Sequence, residues 1–255
     1  MRDLFIKMFR MSHFNTGISI TAFSIPHIAY LILIFGGIVA AWFCLRNKSA
    51  EKKTKALRVM IYLVALSYFS DFFVHEFVYD GLNKDKLPFH ICTVLCPLAL
   101  YAQFNRNGGK IKEPVAALAV LAPMMYLCYP ASVGDGEPWC YQAVQTMFYH
   151  GMLMAWGILS IALGDVKPEL NRVWKSGVLL VGITLWAKFG NLLMDMNWFF
   201  LEEDAFYIGL VENGIIPKWV LMIVNPIVFF LAVLGLYCVC IMLRSRKEKK
   251  SPVSV

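Results

Sequence analysis

Cys92 and His150 are the residues whose types point most directly to chemistry. A thiolate attacks acyl carbonyls, and an imidazole takes and returns the proton that the attack displaces. His90 lies two positions before Cys92. On an ideal helix the two are about 160° apart, so they do not simply meet. Cys92 and Cys96 share a face. Asp71 and His75 are spaced i, i+4, where a carboxylate can orient an imidazole. Lys188, Asn191 and Asp195, at i, i+3 and i+7, form one polar stripe. Gln142, Gln145 and Tyr149 form another, with His150 at its edge. Glu76, Asn197 and Asn225 complete the set.

The elements that must carry these residues are apolar. The chain has 255 residues, 59% hydrophobic and 16% charged, with a mean hydropathy of +0.60. A soluble domain carries roughly 25% charged residues. Apolar runs long enough to span a bilayer recur along the chain. They predict an all-α, polytopic membrane helix bundle of about seven transmembrane helices, at 26–45, 57–79, 88–104, 113–131, 139–163, 176–199 and 219–243. Pro88 is placed in the first turn of the third, where proline is well suited.

The distribution of Lys and Arg sets the direction. The loops 46–58, 105–112 and 164–175 and the tail 244–250 hold 17 of the 24 basic residues, and the opposite side holds six. This predicts the N-terminus outside and the C-terminus in the cytoplasm. A net charge of +7 scattered in this way is a topology signal, not a nucleic-acid patch. Residues 1–25 read as an N-terminal interfacial segment, with 1–14 able to lie on the outer surface rather than act as a signal peptide. The transmembrane domain is 26–243 and the basic cytoplasmic tail 244–255. Seven cysteines show no CxxC pair and no zinc spacing, so no metal is expected. Cys128 and Cys140 flank an outer loop, where two free thiols are preferred to a disulfide.

Depth sharpens the picture. At ~1.5 Å per residue from the cytoplasmic end of each span, Cys92 and Lys188 come out at ~18 Å, His150 at ~20 Å and Asp71 at ~21 Å. Asn191 follows at ~22 Å, His75 and Asn225 at ~27 Å and Asp195 at ~28 Å. In a core about 30 Å thick all lie between the middle and the outer boundary. The inner half shows almost no such groups. Several polar stripes at one depth imply an outward-opening cavity, hydrated or filled by lipid headgroups. Each residue also has a plainer reading. Membrane Asn and Gln glue helices together, Glu76 and Asn197 suit the interface, and Lys188 with Asp195 suits a structural ion pair. A lone buried Cys is ordinarily a small hydrophobe.

Three segments, Leu87-Pro88-Phe89-His90-Ile91-Cys92, Phe148-Tyr149-His150-Gly151 and Asn197-Trp198-Phe199-Phe200-Leu201, together resemble the YwaF family of bacterial integral membrane proteins, which is related to eukaryotic transmembrane protein 164. Phe89 and Trp198 replace commoner family residues. The resemblance implies a cysteine-centred acyltransferase that moves fatty acyl chains between phospholipids in a bacterial plasma membrane, with Cys92 and His150 catalytic. On that reading His90 assists, or donates to the oxyanion with Asn191. Lys188 meets phosphate, Asp71 or Asp195 orients a histidine, and His75 and Asn197 complete the substrate-binding set. Membrane phospholipids are the expected partners and no cofactor is called for. The first alternative is a small-solute or ion transporter using Asp71, His75, Lys188 and Asp195. A receptor or scaffold ranks behind it, because the loops are short.

Overall fold

The computed structural model describes residues 18–78, 84–130, 133, 137–201, 215 and 217–250. The expected surface segment at 1–14 and the last five residues of the basic tail lie outside them. Among the described residues are seven long helices: α1 Ile25–Leu45, α2 Ala50–Val78, α3 Ile91–Phe104, α4 Gly109–Cys128, α5 Tyr141–Ala162, α6 Trp174–Met194 and α7 Leu221–Lys250. They form a polytopic helical membrane bundle. Six, with α3 taken together with the turn before it, are long and apolar enough to cross a membrane by length and composition. The exception is α5. Its 22 residues reach ~33 Å, so length is not the obstacle. Its hydropathy is lowered by Gln142, Gln145, Thr146 and His150, all of which are buried. Polar groups at membrane depth are tolerated when they face protein. Accordingly α5 packs against α1, α2 and α4 instead of lying at the edge.

The centre of the bundle is the α4–α5 contact. Ala116, Ala117, Ala119 and Ala122 are buried on α4. Gly157 of α5 lies so close that a Cβ there would stand 2.7 Å from the Ala116 carbonyl oxygen. Small residues permit this backbone approach, which is how helices gain contact without a hydrophobic driving force. On one side α2 and α3 close the bundle; on the other, α6 packs against α7 and α4. At the edge, α1 begins with Ser24 as its cap, the hydroxyl accepting the His27 N–H at 3.4 Å. His27 is fully buried. Its Nδ1 accepts from the Phe23 N–H, so Nε2 carries the proton and donates to the Leu127 carbonyl at 2.7 Å, tying α1 to the end of α4.

Several boundaries differ from the sequence expectation: the second helix starts at Ala50 rather than 57, the fourth runs Gly109–Cys128 rather than 113–131, and the third, sixth and seventh differ as well. The third helix does not start at Pro88. It starts at Ile91, with His90 as an extended N-cap residue, and has only 14 residues, ~21 Å. The segment before it is bent by contacts to other helices, described below. The sixth helix ends at Met194 rather than 199, because Asp195 takes a left-handed conformation (φ 53°) that stops it. The seventh runs on through Lys250, so the basic tail begins as helix. Cys128 and Cys140 are both free thiols, as preferred from the sequence.

Candidate active site

The stretch between the turn Lys84–Lys86 and the start of α3 leaves the helical hydrogen-bond pattern, so its carbonyls need other donors. Side chains supply them, one from the following turn and two from other helices. Tyr68 on α2 donates its hydroxyl to the Lys86 carbonyl at 2.7 Å. Thr93 donates to the Leu87 and His90 carbonyls at 3.0 and 2.9 Å. Trp186 on α6 donates its indole N–H to the Pro88 carbonyl at 2.6 Å. We call the segment the strap. Non-helical backbone at membrane depth survives only where protein encloses it, and this set of donors meets that condition.

Phe89 seats the strap on α6. Its ring stacks on Trp186, centroids 4.9 Å apart, and leans on Trp198 at 4.7 Å. The space it fills exists because residue 190 is glycine: a Cβ there would lie 2.4 Å from the Phe89 ring. Trp198 is itself held by Asn191, whose amide accepts the Trp198 N–H at 2.7 Å and donates to the Trp198 carbonyl at 3.1 Å. Phe199 and Phe200 follow with φ of 60° and 53°. Bulky residues in that region cost ~1–3 kcal/mol each, so the surrounding contacts must outweigh them. Asn225 on α7 helps by donating to the Phe200 carbonyl at 2.9 Å. Phe200 then meets the His90 ring edge-on at 5.2 Å.

Cys92 is buried in the first turn of α3. The Tyr149 hydroxyl donates to the Cys92 carbonyl at 2.8 Å, tying α5 to that turn. His150, the next residue, is also buried. Its Nδ1 is 2.8 Å from the Thr146 carbonyl. A carbonyl only accepts, so Nδ1 carries the proton and Nε2 keeps its lone pair. Tyr126 of α4 stacks on the imidazole with centroids 3.9 Å apart, and Tyr149 meets it edge-on at 5.2 Å. No direct hydrogen bond joins Cys92 to His150; they are linked through Tyr149.

Asp71 is 1% exposed. Lys86 Nζ stands 3.1 Å from its Oδ2, and His75 Nε2 stands 3.9 Å from its Oδ1. The Lys86 contact lacks the alignment of a hydrogen bond, so charge attraction holds it. Beside this cluster, α2 and α5 are joined by Gln145 Nε2 donating to the Ser67 carbonyl at 3.0 Å and by a Ser70–Tyr141 hydroxyl pair at 3.0 Å. The structure therefore gathers Cys92, His150, His90, Asp71 and His75 around the strap. The carboxamide of Asn191 is occupied on both sides by the Trp198 backbone. Lys188 and Asn197 are half-buried, and Asp195 is exposed at the end of α6. Sequence reasoning passed over Lys86, counted only as a loop charge, and Tyr126. The one available signal for Lys86 was its place immediately before the Leu87–Cys92 motif.

The end of the bundle carrying the basic loops is not as bare as its sequence suggested. Gln103 and Glu113 are buried there, near helix ends where apolar averaging hides them. Gln103 Oε1 accepts the Trp156 indole N–H at 3.0 Å. Glu113 pairs with Arg172 at 3.4 Å and accepts the Glu169 N–H at 3.0 Å. Arg172 also pairs with Glu169 at 2.6 Å, and Lys112 with Asp165 at 2.5 Å. Arg172 donating to Glu169 holds that exposed carboxyl below the usual carboxylate range.

The fold and this pair of polar ends define a multi-pass helical membrane protein with Cys92 and His150 buried toward one end. Comparison with families makes it specific. The chain belongs to the TMEM164 family, whose model matches residues 22–243. Comparison with curated proteins and with solved structures gives no match.

Proposed function

We propose that this protein is a membrane-embedded acyltransferase that moves fatty acyl chains between (lyso)phospholipids, with Cys92 as nucleophile and His150 as base. The observation that carries the reading is convergence. Three sequence segments, each weak alone, meet at the first turn of α3. Tyr149–His150 reaches it through the Cys92 carbonyl, and Trp198–Phe200 reaches it through Phe89 and His90.

In the first half-reaction His150 Nε2 takes the Cys92 thiol proton as sulfur attacks the ester carbonyl of a phospholipid. The C–S bond forms, the ester C–O bond breaks, and His150 returns the proton to the departing lysophospholipid oxygen. In the second, an acceptor hydroxyl gives its proton to His150 and attacks the thioester. A C–O bond forms, C–S breaks, and the proton returns to sulfur. The lone pair on Nε2, set by the Thr146 contact, is what the base requires. Hydrogen bonds of this kind often tighten only when substrate binds, so an indirect Cys92–His150 link through Tyr149 is compatible with the scheme. The main-chain N–H groups of Ile91, Cys92 and Thr93 have no acceptor within the helix, since they open α3. They replace Asn191 as the donors for a developing oxyanion, with His90 beside them.

The setting is a seven-helix domain at 26–243 with the N-terminal segment outside, the basic tail in the cytoplasm and the site in the outer half of a bacterial plasma membrane. Ester carbonyls of the outer leaflet lie at that level. The competing transporter reading rests on the buried Asp71–Lys86–His75 cluster. A reactive fatty-acyl probe separates the two. Labelling of wild type and its loss in Cys92→Ala and His150→Ala supports acyl transfer. Equal labelling and acyl transfer in properly folded variants overturns it.

A further inference from the structure

Resting on the acyl-transfer reading, we propose that Lys86, backed by Asp71, is the point at which the site recognises the phosphodiester of a glycerophospholipid. Four observations carry this. The Lys86 side chain is 19% exposed, while its partner Asp71 is 1% exposed, so of the pair it is Lys86 that reaches the surface. An anion approaching from the headgroup layer meets the cation first. The ammonium has three donors, and the single 3.1 Å contact to Oδ2 leaves directions available for phosphate oxygens. Its backbone is fixed by the Tyr68 hydroxyl on the Lys86 carbonyl, so the charge is delivered by a held segment and not by a loose loop. Finally, Lys86 stands six residues before Cys92, at the head of the strap that leads into the Cys92 turn.

The geometry of the ligand agrees. In a glycerophospholipid the phosphorus and the ester carbonyls are a few bonds apart, joined through glycerol. Lys86 and Cys92 open and close one short segment of chain, the strap and the first turn of α3. A phosphate on Lys86 would therefore bring an ester carbonyl toward Cys92. The role given to Lys188 from sequence passes to Lys86, because Lys86 is the cation paired with the buried Asp71 beside His75.

The test is a binding measurement that needs no turnover. Full-length protein carrying Cys92→Ala is purified in detergent, and its affinity and Tm are measured with phosphatidylcholine, with diacylglycerol of the same chains, and with inorganic phosphate. Phosphatidylcholine is expected to bind at least ~10-fold more tightly than diacylglycerol. Lys86→Met should erase that preference and Lys86→Arg should keep it. Since Lys86→Met leaves Asp71 buried without its cation, the Asp71→Asn/Lys86→Met pair restores neutrality and must show the same loss. Equal binding of the two lipids, or a preference that survives both Lys86→Met variants, overturns the proposal. A Tm shift from inorganic phosphate alone as large as that from phosphatidylcholine assigns the site to soluble phosphate and overturns the headgroup. None of these outcomes depends on whether Cys92 is a nucleophile, which the acyl-probe experiment decides separately.

Discussion

The two ends of the bundle hold buried polar groups for different ends. At the basic end, Glu113, Arg172 and Glu169 answer one another, as do Lys112 with Asp165 and Gln103 with Trp156. Apart from the local Arg172–Glu169 pair, each of these contacts joins two segments, and what they do is hold helices together. At the opposite end the side chains serve a backbone that has left helical geometry, and they leave a thiol and an imidazole lone pair uncommitted. A buried polar group that is consumed is architecture. One that is held in place yet left with a spare valence is a candidate for chemistry.

That contrast can be broken experimentally, beginning where the effect should be greatest. His150→Ala is expected to lower acyl transfer by ~10²–10⁴-fold, far more than the modest fall in Tm from losing the Tyr126 stack would explain. Gly190→Ala comes next. Its Cβ would strike the Phe89 ring, and overpacking of this kind costs ~1–3 kcal/mol, so Tm and acyl-probe labelling should fall together. Tyr149→Phe removes a single hydrogen bond worth ~0.5–1.5 kcal/mol, yet should slow labelling disproportionately, because the bond positions the Cys92 turn. Glu113→Gln should reverse the pattern, with Tm lower by ~2–4 °C and labelling unchanged. The smallest effect is expected from pH at the same end. The Glu169 carboxyl is held low by Arg172, so its contribution is present at neutral pH and is lost as pH falls through its lowered value. Glu169→Gln should flatten the acid side of the Tm–pH curve slightly, and an unchanged curve would count against the pairing.

Seven helices were legible because apolar length is a property of each segment alone. Even α5, the least apolar, was recognisable from its extent, and its polar residues proved to face inward. The ends of helices were not legible, since tertiary contacts decide them. Pro88 favours a helix start, but its carbonyl is taken by Trp186 and its neighbour Phe89 is drawn into the gap at Gly190, so α3 begins later. The cluster of Asp71, His75, Cys92 and His150 could be anticipated from spacing and depth. Lys86 could not, because a lysine outside an apolar run looks like a topology signal until the chain folds back. Asn191 shows the converse: its depth pointed to a ligand, and its partner is backbone seven residues on.

The strap also bears on how the protein is assembled. Helices enter a membrane as independent spans and dock afterwards. The donors that satisfy the strap and the bend after α6 come from Tyr68, Tyr149, Trp186, Asn191 and Asn225, on four different helices. No hairpin of neighbouring spans holds enough of them. The Cys92 turn therefore acquires its shape only when α2, α5, α6 and α7 have all arrived, which makes that end the last part of the molecule to mature.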